Sequence, residues 1–167
     1  MSTTLEAVLN RTFAAIAHDP GLAKVEVAAD CALTGVHEVD ARLANHVLRA
    51  DQPPVLGGDG AGPTPGEIAL AALGACHAQT YRVWSEKLGI RIDDLTVDVR
   101  ADVDVHGFFG LDEGVRPGFE TVSIEARISG PEAPERYEQL RRAVHEHSPV
   151  LDVFRNTVPV KTSMSMR

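Results

Sequence analysis

The chain has few cysteines, no long apolar run and no basic leader. Among its 167 residues the cysteines are Cys31 and Cys76, too few for a disulfide framework and typical of a reducing compartment. No apolar stretch approaches the ~20 residues that a membrane-spanning helix needs. The first residues, Met1-Ser-Thr-Thr-Leu-Glu, lack the basic and apolar regions of a signal peptide. These absences predict a cytoplasmic protein that does not enter membranes.

Positive charge is also scarce. The 16 basic residues face 24 acidic ones, and the net charge is −8 at pH 7. Nucleic acids and anionic membranes both recruit basic patches, so we expect neither as a partner. Cysteines and histidines do not occur at zinc-ligand spacing, and the Gly-rich segment 57–63 is not followed by the Gly-Lys-Ser/Thr of a phosphate-binding loop. The sequence therefore predicts neither a metal ion nor a cofactor.

The composition is that of an ordinary globular protein, with 44% hydrophobic and 24% charged residues. Apolar periodicity predicts helices at 4–17, 64–88, 131–147 and 150–154, and strands at 24–32, 36–48, 90–105, 119–128 and 158–164. This order segregates helices from antiparallel strand pairs and predicts an α+β fold. Pro20-Gly21 ends the first helix, so we divide the chain into a helical extension, 1–20, and a main domain, 21–167.

The helix around Cys76 carries clear boundary signals. Thr64 is a suitable N-cap, Pro65 occupies the first helical position, and Glu67 completes a capping box. The segment 68–76 contains no polar side chain, which predicts burial on all sides. Its alanines and glycine would allow another backbone to approach closely. Gly89 is expected to end the helix.

Cys76 has two readings on sequence alone. Free cysteine is among the most buried residue types, so an inert core thiol is one reading. A reactive thiol is the other, and it requires a cationic neighbour to favour the thiolate, because Cys76 lies too far from the helix N-terminus to use the helix dipole. Adjacent His77 points about 100° away, so it is not expected to pair with Cys76. Arg42, on the second predicted strand, is a candidate cation, although most arginines are solvated surface residues.

Two further sets of residues invite a functional interpretation. Glu67 precedes Cys76 by nine residues, which places it roughly 13 Å away along the helix axis. Only a second copy of the helix, packed antiparallel, would bring a Glu67 to Cys76, and the site would then lie at a dimer interface. Phe108 and Phe109 fall in a predicted loop, where they either line a pocket or pack beneath the loop.

Several segments together resemble the OsmC/Ohr family of thiol peroxidases, over roughly residues 22–166. The resemblance rests on the following segments: Asp51-Gln-Pro-Pro54, Gly57-Gly58, Gly62-Pro-Thr-Pro-Gly-Glu67, Leu70-Ala-Ala-Leu-Gly-Ala-Cys76, Gly107-Phe-Phe-Gly110, Val115-Arg-Pro-Gly-Phe119, Ser148-Pro-Val150 and Arg155-Asn-Thr-Val-Pro-Val160.

The resemblance implies an intertwined homodimer, in which antiparallel sheets wrap around two central helices. It implies reduction of organic or inorganic hydroperoxides by a peroxidatic cysteine, matched by Cys76. An arginine and a glutamate assist: Arg42 is the best match for the arginine and Arg49 the next, and Glu67 matches the glutamate. In the family a second cysteine usually condenses with the first, and a dithiol re-reduces the pair. This chain has Ser148 at that position, and some family branches have the glutamate one residue earlier, where this chain has Gly66.

Two functional hypotheses follow. In the first, the protein is a one-cysteine peroxidase for oxidative stress defence: Cys76 becomes a sulfenic acid that an external thiol or dithiol reduces, and Phe108 and Phe109 favour an apolar hydroperoxide. In the second, the protein is a non-peroxidase relative that binds a small ligand and retains an unreactive Cys76. The peroxide reactivity of Cys76 distinguishes the two.

Overall fold

A computed structural model of the chain describes residues 4–166, and its fold is α+β, as expected. The helices are α1 (Leu5–His18), α2 (Pro65–Leu88), α3 (Val105–Phe109), α4 (Pro134–His147) and α5 (Pro149–Arg155); the strands are β1 (Asp30–Leu33), β2 (Val39–Leu43), β3 (His46–Ala50), β4 (Asp94–Asp102) and β5 (Thr121–Ser129). The chain forms two compact units, whose boundary in the sequence falls after Ala71, within α2. Within residues 4–166, every helix is too short or too polar to span a lipid bilayer.

The first unit contains an antiparallel sheet in the order β1-β2-β3. The expectation of one strand over 36–48 is wrong, because β2 and β3 form a hairpin in which Leu43 pairs with His46. Ala44 makes the turn with a left-handed φ of 52°, a conformation that residues with a Cβ seldom adopt. The expected strand at 24–32 is also shorter, since β1 begins at Asp30.

Asp51 organises the Gly-rich loop between β3 and α2. Its side chain is 1% exposed, and its carboxylate accepts hydrogen bonds from the backbone N–H groups of Gln52, Asp59 and Ala61 at 2.8, 3.0 and 2.9 Å. These N–H donors, that of Ala61 foremost, lower the pKa of Asp51. The turn is tight enough that a Cβ on Gly58 would lie 2.0 Å from the carbonyl oxygen of Gln52, so this position requires glycine.

Replacing Asp51 by asparagine is expected to lower the free energy of unfolding at neutral pH, because an amide cannot accept these bonds as a charged group. A carboxyl whose pKa is depressed by folding stabilises the protein above its unfolded pKa of about 3.9, and this contribution disappears as the pH falls through the folded value. The difference in urea midpoint between wild type and Asp51→Asn should therefore be full at pH 7 and shrink below about pH 4. Asp59→Asn, an exposed change in the same loop, is the control; an equal loss in both variants would contradict the prediction.

The predicted ends of α2 are confirmed. The backbone N–H and hydroxyl of Thr64 donate to Glu67 Oε2 at 2.7 and 2.9 Å, and the Glu67 N–H donates back to Thr64 Oγ1 at 3.3 Å. At the other end Gly89 adopts a left-handed φ of 61°, which terminates the helix as a C-terminal glycine usually does.

The second unit pairs β4 with β5 in register from Asp94 opposite Ser129 to Asp102 opposite Thr121. The connection between them contains the short helix α3, where the sequence predicted only a loop. The hydrophobic core of this unit combines Tyr81, Ile90, Leu140 and Val144, all at most 3% exposed. It joins α2 and α4 to the apolar side chains of the β4–β5 pair.

Two expectations are not met within the single chain. Residues 158–164, predicted as a strand, form no strand in the described structure, and Val160 is 80% exposed. The apolar half of α2 is not buried on all sides either, because Leu73 is fully buried whereas Ala71, Ala72 and Ala75 are exposed. In both segments, apolar side chains are therefore not buried by other parts of the same chain.

Candidate active site

The alignment of α2 with α4 determines which residues meet. At one end, Arg136 Nη2 donates a hydrogen bond of 2.7 Å to the carbonyl oxygen of Leu88, the last residue of α2. Further along, Tyr81 packs with Leu140 and Val144 in the core. Residue numbers therefore rise along α4 as they fall along α2, so the two helices run antiparallel.

Cys76 and Ser148 meet at the far end of this alignment. The Sγ atom of Cys76 lies 3.8 Å from the Oγ atom of Ser148, and either group can donate the hydrogen bond. Cys76 is half-buried and Ser148 is 2% exposed. Leu140, Val144 and Ser148 recur at intervals of four residues, so the stripe that packs α4 into the core also directs Ser148 toward α2.

Ser148 does not use its hydroxyl as a helix cap. It lies between α4 and α5, at the N-cap position of α5, where serine usually accepts a bond from a backbone N–H. No such side-chain bond is formed here, although the Ser148 carbonyl accepts the N–H of Asp152 at 3.0 Å. The hydroxyl is therefore available to Cys76.

Glu67 lies in the first turn of α2, where the capping box holds its carboxylate. Both bonds from Thr64 go to Oε2, and they lower the pKa of Glu67. Within residues 4–166, no hydrogen bond reaches Oε1. Glu67 thus has a structural role and still presents one carboxylate oxygen.

The two candidate arginines differ in their partners within the first unit. Arg49 on β3 donates to both carboxylate oxygens of Asp40, at 2.8 and 3.1 Å, and its Nη1 lies 3.7 Å from Glu38. Arg42 on β2 stands opposite Asp30 and Val47 in the sheet register, and it makes no ion pair within 4 Å among the described residues. Among the described residues, the guanidinium of Arg42 therefore forms fewer ion pairs than that of Arg49.

Phe108 and Phe109 are not packed beneath the loop. Both lie in α3, with 65% and 50% of their surface exposed, and their rings meet edge to face at 5.0 Å. Gly107 brings this helix close to the chain at Arg116, since a Cβ there would lie 2.4 Å from the Arg116 carbonyl oxygen. Whether the two rings line a substrate pocket stays a prediction.

An open cavity of about 520 Å³ lies in the second unit, and no sequence pattern predicts it. Leu73, one turn before Cys76, and Leu151, one turn after Ser148, both line it. Phe119 and Phe154, whose rings stack at 6.4 Å, form another part of its wall. Each of these side chains looks like an ordinary apolar residue in sequence, and only the folded chain brings them together.

His77, next to Cys76 in the sequence, packs against a different neighbour. It is 7% exposed and packs edge to face against Tyr81 at 5.4 Å. Burial, and secondarily His145, lowers the pKa of His77. No group of three or more His, Cys, Asp or Glu side chains in the described part of the chain is arranged to hold a metal ion.

A family model and several solved structures are similar to this chain. Residues 58–163 match the family described as OsmC-like protein. An OsmC-like protein from Mycoplasma pneumoniae superposes with a TM-score of 0.68 at 15% identity, covering 78% of this chain and 88% of that one. An organic hydroperoxide resistance protein from Legionella pneumophila has a TM-score of 0.61 at 21% identity, covering 79% and 92%. Another organic hydroperoxide resistance protein, from Elizabethkingia anophelis, has a TM-score of 0.59 at 20% identity, covering 79% of this chain and 91% of that one. No curated protein matches the sequence.

Proposed function

Because the chain belongs to the family of OsmC-like proteins, we propose that it is a thiol-dependent peroxidase that reduces organic and inorganic hydroperoxides through Cys76. The observation that carries the proposal is the 3.8 Å contact between Cys76 Sγ and Ser148 Oγ. This contact joins the two positions at which the family resemblance expects a pair of cysteines. One of the pair is retained, which supports a one-cysteine reaction cycle.

The proposed reaction begins with the thiolate of Cys76. Its sulfur attacks the outer peroxide oxygen, an S–O bond forms as the O–O bond breaks, and the departing alkoxide takes up a proton and leaves as an alcohol. Sulfur loses two electrons and the peroxide gains them. An external thiol then displaces water from the sulfenic acid to form a mixed disulfide, and a second thiol, or the other arm of a dithiol, releases Cys76. The Ser148 hydroxyl can donate a hydrogen bond to the sulfur in its anionic and oxidised forms.

Arg42 and Glu67 are the residues that we expect to assist Cys76. We assign to Arg42 the stabilisation of the thiolate and of the leaving oxygen, which a guanidinium supplies as a fixed charge and a set of donors. We assign a supporting role to Oε1 of Glu67 in an intertwined homodimer. The exposed alanines of α2 and the unpaired segment 158–164 support such a dimer, because apolar surface and strand-forming sequence are left for a second copy to cover. The active domain is 21–167, with 1–20 as a helical extension, and the cytoplasm is the proposed compartment.

The proposal is tested by stopped-flow oxidation of the reduced protein with cumene hydroperoxide and with hydrogen peroxide. We expect rapid oxidation that is faster with the organic peroxide, a dimedone adduct at Cys76, and loss of both in Cys76→Ser. Cys31→Ser is the matched control, since Cys31 is the other free thiol and lies exposed on β1. Arg42→Gln should slow oxidation about a hundredfold, whereas Arg49→Gln should not.

The proposal fails if Cys76 reacts no faster than an ordinary free thiol. The alternative, a small-ligand-binding relative with an unreactive Cys76, would then explain why the second cysteine is missing. Sedimentation of the same samples reports the oligomeric state, and a monomer would remove the proposed role of Glu67 of the partner subunit without affecting that of Cys76.

A further inference from the structure

A second cavity, of about 370 Å³, lies between α2, β5, α4 and α5. Its apolar wall consists of Val122, Ile124 and Ala126 on β5 and Leu151 on α5. Cys76 does not line this cavity. It adjoins the cavity of about 520 Å³ described above, since Val122, Ile124, Leu151 and Arg155 line both.

The polar lining of this cavity is basic. Its charged and titratable members are His77, Tyr81, Arg141, His145 and Arg155, with no aspartate or glutamate among them. This is unexpected in a chain of net charge −8, because its 24 acidic residues outnumber its 16 basic ones. A cavity of this kind attracts an anion against the overall charge of the protein.

The two arginines are not equally available. Arg141 donates through Nε and Nη2 to both carboxylate oxygens of Glu138, at 2.7 Å each. Arg155, in the last turn of α5, makes no ion pair or side-chain hydrogen bond within residues 4–166. The cavity is thus lined in part by one exposed guanidinium that has no carboxylate partner among the described residues.

His77 also lacks a partner. The ring is 93% buried, as its 7% exposure shows, and Nδ1 has no hydrogen bond although it is inaccessible to solvent. A buried polar atom without a partner is uncommon in folded proteins and is often satisfied by a bound group or by water. His77 lies in the wall of the same cavity as Arg155.

We propose that this cavity binds a small organic carboxylate, with the carboxylate group at Arg155 and the two imidazoles and a short apolar tail on Val122, Ile124 and Ala126. A carboxylate matches the geometry of a guanidinium, and the apolar wall excludes a purely inorganic anion as the best fit. Neither Cys76 nor Ser148 lines the proposed binding site.

The test uses the reduced full-length protein and sodium hexanoate as the probe, followed by histidine ring NMR signals. Hexanoate should shift the His77 and His145 signals saturably, and neutral hexanamide and tail-less acetate should each bind at least about tenfold more weakly, because each loses one of the two kinds of contact. His145→Gln, an exposed change, assigns the His145 signal.

Arg155→Gln should weaken hexanoate binding by about tenfold or more, and Arg155→Lys should restore part of it. Arg142→Gln, on α4, is the matched control. It also removes one positive charge, but Arg142 does not line the cavity. Circular dichroism verifies that each variant is folded. Absence of saturable shifts, equal binding of hexanoate and hexanamide, or equal effects of the Arg155 and Arg142 changes would overturn the proposal.

Binding should also tighten between pH 8 and pH 6. Burial and the proximity of His145 oppose protonation of His77 and lower its pKa, and a bound anion would favour the protonated ring, so binding should take up protons. Besides His77 and His145, the titratable side chains that line the cavity are Tyr81, Arg141 and Arg155. Burial raises the pKa of Tyr81, and the ion pair between Arg141 and Glu138 raises the pKa of Arg141 and lowers that of Glu138, so these three groups keep their charge in this range.

Discussion

Oxidation of a Ser148→Cys variant by one equivalent of hydroperoxide is expected to consume two thiols and form an intramolecular disulfide with Cys76. The two side-chain atoms are already 3.8 Å apart. A disulfide requires about 2.05 Å between its sulfurs. A carbon–sulfur bond is longer than the carbon–oxygen bond that it replaces, so the new sulfur would lie closer to Cys76 than the serine oxygen does. Small side-chain rotations would then bring the two sulfurs to bonding distance. The sulfenic acid at Cys76 would then be attacked by the new thiol and lose water, before dimedone or an external thiol reaches it.

The measurement is best made in a Cys31→Ser background, which leaves two thiols. Thiol titration, a mass decrease of about 2 Da per disulfide and loss of the dimedone adduct report the bond. Because the crosslink closes a loop of 72 positions, chain entropy predicts stabilisation of about 4 kcal/mol over the reduced form. The oxidised variant should therefore unfold at a clearly higher urea concentration than its reduced form.

The matched control is Ser85→Cys. Ser85 has the same 2% exposure as Ser148 and lies on the helix of Cys76, but nine residues further along, or about 13 Å on the helix axis. Its thiol should remain free while Cys76 accumulates as sulfenic acid. Persistence of the dimedone adduct in Ser148→Cys would mean that the two positions do not approach as the structure shows.

The proximity of Cys76 and Ser148 illustrates what the sequence can and cannot predict. The ends of α2 were predicted correctly because they depend on neighbours three residues apart, Thr64 with Glu67, and on the left-handed Gly89. The relation of Cys76 to Ser148 depends on how α4 packs against α2, which no local pattern contains. Only the family resemblance associated the two positions.

The wrong strand predictions have a related cause. Alternation over 36–48 predicted one strand, but the chain reverses at Ala44 without the glycine, or the Asn-Gly pair, that usually signals a hairpin. Alternation over 158–164 was recognised, yet a strand exists only where another strand pairs with it, and the described chain provides none. The cavity of His77 and Arg155 was missed because its members come from four elements and have no shared periodicity.

Replacing Leu140 by alanine is expected to lower the free energy of unfolding by about 2–5 kcal/mol, the largest loss of stability that we predict. Leu140 is 0% exposed and packs with Tyr81, Ile90 and Val144, so the missing methyl groups would leave a cavity that the surrounding helices can close only partly. Urea unfolding at a fixed protein concentration measures the change, and the fixed concentration matters for a chain that we propose to be a dimer.

Leu111→Ala supplies the control, because Leu111 is 72% exposed and its truncation should change stability by no more than about 0.5 kcal/mol. Leu140 lies two turns before Ser148 on the same stripe of α4, so the core that it fills also holds Ser148 against Cys76. A loosened core should therefore reduce the yield of the disulfide in Ser148→Cys when Leu140→Ala is combined with it, whereas Leu111→Ala should leave the yield unchanged. If Leu140→Ala costs no more than Leu111→Ala, the packing of α4 on α2 does not determine the geometry of the site.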